Sequence, residues 1–170
     1  MGAEEHKREA PKHVNTMIIT VSDTRIEQTD KSGNWIKEEL QQAGHSIVEY
    51  TIVKDEATLI EEAIRTGTFD QRIDVILING GTGIAKRDVT VEVVKELISK
   101  EIPGFGELFR MLSYTEDIGS AALLSRAIAG VYENTAIFSM PGSTGAVKLA
   151  MNKLILPEIS HVVREIRKDL

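Results

Sequence analysis

The sequence predicts an α/β fold: a single-domain, three-layer αβα sandwich with a mainly parallel central sheet and a short antiparallel strand pair. Three observations predict it. Short β-branched runs, NTMIITV at 15–21 and DVILIN at 74–79, are separated by stretches whose apolar residues recur at helical spacing. Strands that alternate with helices imply right-handed crossovers and a sheet covered on both faces. Two adjacent strand-like runs, 127–132 and 135–140, turn at Glu133-Asn134 and predict the antiparallel pair.

The elements follow in order. After the first strand, Trp35, Ile36, Leu40 and Ala43 mark a helix, and Gly44 stands where its C-cap falls. Residues 45–53 read as a second strand. Leu59, Ile60, Ala63 and Ile64 form the apolar side of the next helix, which Gly67 ends. The strand at 74–79 runs straight into Gly80-Gly81-Thr82-Gly83. Val91, Val94, Leu97 and Ile98 mark a helix that stops before Pro103, with further helical stretches over 105–114 and 121–125. Pro141-Gly142-Ser143-Thr144-Gly145 opens the helix holding Val147 and Leu154. A final helix from about Pro157 carries Ile159, Val162, Val163 and Ile166.

At 170 residues, with 42% hydrophobic and 27% charged residues, the chain suits one domain with a sizeable core. Residues 15–170 are assigned to it, and residues 1–14, charged and polar, to a flexible N-terminal extension. A net charge of -6 argues against a general phosphate footprint on nucleic acid. The absence of cysteine excludes disulfides and thiolate metal sites. No apolar run has the length of a membrane span, so the expected location is cytoplasmic. The four histidines, at 6, 13, 45 and 161, show no metal-ligand spacing and are read as surface or packing residues. No G-x-S-x-G elbow exists, because Ser143 follows Gly142 directly.

Four segments could carry chemistry. Gly80, Gly81, Thr82 and Gly83 follow a buried strand, where glycines let backbone N–H groups approach an anion; the plain alternative is a tight turn. The loop is neither a Walker A motif, because Ala85 precedes Lys86, nor a dinucleotide fingerprint, because the third glycine is missing. Lys86-Arg87-Asp88 then offers cations for phosphate and a carboxylate for Mg²⁺; Asp88 or Thr90 could instead cap the following helix. Asp55 lies between a strand and a helix, where capping is again the alternative. Ser143 opens a helix, a place for either phosphate or a cap. Ligands of such sheets bind beyond the carboxyl ends of the strands, which is where both glycine loops fall.

In combination these segments resemble the MoaB/MogA family of molybdenum-cofactor biosynthesis proteins from about Asn15 onward. The stretch NGGTGIAKRDVT, ending at Thr90, is similar to the family's GGTG…RD-x-T signature. Further matches are Ser22-Asp23-Thr24-Arg25, Pro103-Gly104-Phe105-Gly106-Glu107, Leu124-Ser125-Arg126 and Met140-Pro141-Gly142-Ser143-Thr144, the last closer to the MoaB branch. Asn79, where Thr is common, and Lys86, where MogA-like sequences often have Arg, are modest departures.

The resemblance implies a molybdopterin-binding domain that adenylylates molybdopterin with ATP and Mg²⁺ and releases pyrophosphate. It implies Asp55 and Asp88 as catalytic, metal-holding acids. Gly80, Gly81, Thr82, Gly83, Arg87, Ser143, Ser22 and Asp23 are the implied ligand-binding residues. It also implies a homotrimer or homohexamer and contact with the molybdenum-insertion enzyme. A non-catalytic molybdopterin carrier and a pathway scaffold are the alternative readings.

Overall fold

A computed structural model describes residues 2–170. Six strands form one sheet in the order β2-β1-β3-β6-β5-β4. In the chain these are β1 (Asn15–Val21), β2 (Ser46–Val53), β3 (Val75–Asn79), β4 (Lys100–Glu101), β5 (Ile128–Tyr132) and β6 (Thr135–Met140). The first three and β6 run parallel, while β5 pairs antiparallel with both β6 and β4. The expected antiparallel pair is therefore present, with β4 as a two-residue addition at the edge.

Helices cover both faces, as the amphipathic spacing requires. One face takes α2 (Lys31–Gln42), α5 (Pro103–Glu116), α6 (Thr144–Ala150) and α7 (Leu156–Arg167). Their Ile36, Leu40, Phe109, Val147, Ile159 and Val163 pack on Ile18, Leu77 and Phe138 of the sheet. The opposite face takes α3 (Ala57–Phe69) and α4 (Thr90–Leu97), whose Ile60, Ile64, Val91 and Val94 meet Met17, Ile19, Ile76 and Ile78. Successive residues of β1 and β3 thus feed opposite cores, the period-two consequence of a sheet buried on both sides.

Two features lie outside the elements expected from the sequence. Residues 1–14, assigned to an extension, include a helix α1 (Ala3–Glu9) on α7, with ion pairs Lys7–Glu158 and Arg164–Glu9. Between α6 and α7 the helix does not break: Met151–Ile155 form a π-helical turn that joins them.

The chain leaves β1 for β2 on one side and later returns to β3 on the other. Neighbouring crossovers diverge between β1 and β3, and this opens a crevice at their carboxyl ends. Asn79 anchors that junction by donating from Nδ2 to Thr20 Oγ1 at 2.9 Å, both residues being fully buried.

Candidate functional site

The crevice holds a cavity of about 450 Å³, lined by the ends of β1, β2, β3 and β6. It collects Ser22, Asp23, Asp55, Gly80, Gly81, Thr82, Gly83, Arg87 and Asp88 from segments far apart in the chain. Pro141 and Gly142 of the second glycine loop form another wall.

The glycines of the first loop answer to local sterics. Gly80 and Gly81 have φ of 100° and 67°, a region that side chains disfavour. A Cβ on Gly80 would lie 2.2 Å from the Val21 carbonyl oxygen, and one on Gly81 2.2 Å from Thr90 Oγ1 and 3.0 Å from Asp55 Oδ1. A Cβ on Gly83 would press on Asp88 Oδ2 at 2.5 Å. The loop is therefore drawn in against β1, Asp55 and Asp88 more closely than a turn alone requires. Gly142 extends this contact, since a Cβ there would meet Gly80 Cα at 3.1 Å.

The two candidate acids do not serve as caps. The caps of α3 and α4 are Glu56 and Val89, and neither makes a side-chain capping bond. Asp88 accepts from the Ala85 N–H at 3.0 Å, which curls the segment after the glycines. Asp55 donates its own N–H to Asp23 Oδ1 at 3.0 Å, yet its buried Oδ1 has no hydrogen-bond partner among the described residues. Burial pushes the Asp55 carboxyl up, the Asp23 charge adds to this, Arg87 opposes it and Asp88 reinforces it. Arg87 is the facing cation, its guanidinium 3.8 Å from Asp23 and 70% exposed, so it can move toward an incoming anion.

Of the remaining expected residues, Ser22 shapes the β1 exit by accepting from the N–H groups of Thr24 at 3.3 Å and Arg25 at 3.1 Å. Ser143 takes the capping role, with Oγ accepting from the Ala146 N–H at 3.3 Å, and it does not line the cavity; its neighbours Pro141 and Gly142 do. Lys86 is likewise off the cavity wall.

Two arginines that sequence reasoning left without a role brace the site. Arg126 donates to the carbonyls of Thr82 at 3.0 Å and Asp88 at 3.2 Å, and pairs with Glu92, so one guanidinium grips both ends of the segment carrying Gly83 and Arg87. The Arg126 hydrogen bond holds the Glu92 carboxyl below the usual range. Arg25 donates to the Gly142 carbonyl at 3.1 Å and lies 3.4 Å from buried Asp30, which fixes the second loop from below. The only sequence signal for them was their place inside the two short matches SDTR and LSR.

A carboxylate with an orphaned, buried oxygen beside two further acids has the donor set of a site for a hard divalent cation. That donor chemistry is compatible with Mg²⁺, which Asp55 and Asp88 would hold. Backbone amides of the glycine loop and the exposed Arg87 are the groups that could supply the positive side for a phosphate.

Comparisons with known proteins identify the family and the fold. Residues 17–161 match the family described as "Probable molybdopterin binding domain". The chain is 62% identical over 169 residues to molybdenum cofactor biosynthesis protein B of Bacillus subtilis, covering 99% of each. A crystal structure of molybdenum cofactor biosynthesis protein B superposes with a TM-score of 0.91 at 58% identity, over 94% of this chain and 99% of that one. The tungsten cofactor synthesizing protein MoaB from Pyrococcus furiosus superposes at 0.80 with 40% identity, over 93% and 99% of the two chains.

Proposed function

The chain belongs to the molybdopterin-binding MoaB/MogA family of molybdenum cofactor biosynthesis proteins, and from that premise we propose that it is a molybdopterin adenylyltransferase. The observation that carries the reading is the buried Asp55 Oδ1, left without a partner among the described residues and set against Gly81 at the sheet's switch point. A fold tolerates an unanswered buried acceptor at a cost, and sites of this kind cluster where a ligand completes them.

In the proposed reaction the terminal phosphate of molybdopterin attacks the α-phosphorus of ATP. The bond to the β-phosphate oxygen breaks, pyrophosphate leaves, and adenylyl-molybdopterin remains. Such transfer asks mostly for positioning and charge stabilisation. The Gly80 N–H is held by the Met140 carbonyl, and the N–H groups of Gly81, Thr82 and Gly83 cradle phosphate oxygens. Arg87 offsets the charge gathering on the leaving group. Arg126 keeps the loop in place during the exchange, and Arg25 holds the Gly142 carbonyl so that the second loop stays against the first. Asp55 and Asp88 would hold Mg²⁺, which when bound neutralises phosphate charge and polarises the phosphorus under attack. Ser22 and Asp23 border the same space.

The assembly proposed with it is a homotrimer or homohexamer. Supporting this, α5 and the short 3₁₀ turn Gly119–Leu124 packed on it expose Leu108, Met111, Tyr114, Leu123 and Leu124. Leu124 also lines the cavity, so an interface there would border the site. Contact with the molybdenum-insertion enzyme and a cytoplasmic location belong to the same proposal; no described helix is long and apolar enough to cross a membrane.

The test is product formation from purified protein, molybdopterin and ATP, with and without Mg²⁺. Adenylyl-molybdopterin and pyrophosphate in equal amounts, only with Mg²⁺, are expected. Molybdopterin binding without product would replace the enzyme with a carrier.

A further inference from the structure

Read along the chain, the histidines have no ligand spacing, but folding brings two of them together. His6 on α1 and His161 on α7 face each other with ring centroids 5.9 Å apart, and Glu165 lies one turn beyond His161. One nitrogen from each ring and one Glu165 oxygen lie within 4.8 Å of one another. His6 Nδ1 is 3.2 Å from Glu165 Oε1, and His161 Nε2 is 3.9 Å from the same oxygen. Ligands bonded at about 2.0–2.1 Å in a tetrahedron are roughly 3.3 Å apart, so the three atoms need only small shifts to share an ion.

A second observation points the same way. His161 Nδ1 is hydrogen-bonded to Glu158 Oε2 at 2.9 Å. With the proton on Nδ1 the ring donates to this carboxylate, and the lone pair stays on Nε2, the nitrogen nearer Glu165. A carboxylate behind an imidazole is the arrangement that orients metal-binding histidines and raises their basicity. The two rings keep partial exposure, with side chains 26% and 23% accessible, so an ion can enter.

We propose that His6, His161 and Glu165 form a site for a borderline divalent transition metal such as zinc, with its fourth position open. Two imidazoles and one carboxylate suit Zn²⁺, Ni²⁺ or Cu²⁺ rather than Mg²⁺ or Ca²⁺, which prefer oxygen alone. The site stands apart from the cavity at the glycine loops and does not depend on the activity proposed there. Glu165 now accepts from Arg164 and Lys168, and Arg164 also pairs with Glu9. An ion on Oε1 displaces Arg164 from that oxygen and leaves Oε2 with Lys168. Because His6 is on α1, the bound ion fastens α1 to α7, adding a coordinate link to the Lys7–Glu158 and Arg164–Glu9 pairs.

The experiment is a Co²⁺ titration of untagged, chelator-treated full chain, followed by the visible absorption of four-coordinate Co²⁺ and by displacement with Zn²⁺. An Asp55→Asn, Asp88→Asn background keeps the acid cavity silent. One Co²⁺ per chain is expected, displaced by one Zn²⁺. His6→Gln and His161→Gln each weaken it by about 100-fold or more, and Glu158→Gln by about 10-fold at unchanged stoichiometry. Lys7→Ala, which loosens α1 without removing a ligand, should keep the four-coordinate spectrum. No binding below millimolar Co²⁺, or binding that neither histidine variant weakens, would overturn the proposal.

Discussion

Asp30 and Asp55 occupy two niches near the same edge of the sheet, and the fold treats them in opposite ways. Asp30 is fully buried and fully answered: Oδ1 accepts from the Gly33 N–H at 3.1 Å and faces Arg25 at 3.4 Å, and Oδ2 accepts from the Tyr50 hydroxyl at 2.5 Å. Burial first, and the bond to Asp30 second, push the Tyr50 phenol above its ordinary range, so it remains a donor. Asp55 has acids for neighbours, one exposed cation and, among the described residues, an orphaned oxygen. A buried charge supplied with donors from three directions is structural. Asp55, half-buried, has no donor to its buried Oδ1 among the described residues, as the proposed Mg²⁺ role would require.

The largest expected effect is on turnover. Asp55→Asn removes the charge but keeps the shape, and should lower adenylyl-molybdopterin formation by about 10³-fold, roughly 4 kcal/mol of activation, while leaving the fold intact. Unchanged turnover would make Asp55 as structural as its counterpart. Next comes Asp30→Ala, which strands Arg25 and Tyr50 and uncaps α2. A loss of about 3 kcal/mol in denaturant unfolding is expected. A loss below about 1 kcal/mol would show that the niche had never been tightly satisfied.

Gly81→Ala is intermediate. It puts a side chain at positive φ and against Thr90 Oγ1, and should cost about 2 kcal/mol of stability. Gly104→Ala, with nothing within 4 Å of its Cβ, is the control that should change little.

The smallest effect has the opposite sign. Without ligand, Asp55→Asn should stabilise the chain near neutral pH by about 0.5–1 kcal/mol, because an ionised buried acceptor is gone. Asp55 has its folded pKa raised, so the native state binds the proton more tightly than the unfolded chain. Its penalty is present above the folded pKa, shrinks as pH falls through it, and vanishes below the unfolded value near about 3.9. The gap between variant and parent in unfolding midpoint should therefore close on acidification; a gap that widens would reverse the assignment.

Much of this arrangement was legible in the sequence, and the part that was not has identifiable causes. The run DVILIN and the helical spacing of Ile36 with Leu40, or Ile60 with Ile64, reflect burial, which local pattern records. Strand β4 is two exposed charged residues, defined only by pairing with Gly130 and Val131. The glycine loop announced itself by composition, but the reason for Gly83 is contact with Asp88, five residues on. Arg25 and Arg126 were the harder residues. Each acts on a carbonyl far along the chain, at Gly142 and Thr82, and no local rule tells a bracing arginine from a solvated one. Ser143 could be read as a phosphate ligand or as a cap, and it caps α6.

The π turn between α6 and α7 sets the phase of the helix that follows it. Val147, Met151, Ile155, Ile159 and Val163 are all buried, at intervals of four residues. On a helix of 3.6 residues per turn each such step overshoots by about 40°, so the row would wind most of the way to the solvent side over its length. The wider turn at Met151–Ile155 retards that rotation and lets one continuous rod keep its apolar seam on a flat partner. The seam is thus set by a vernier between two periods, and deleting a single residue from the turn would rotate everything after it by about 100° relative to the sheet.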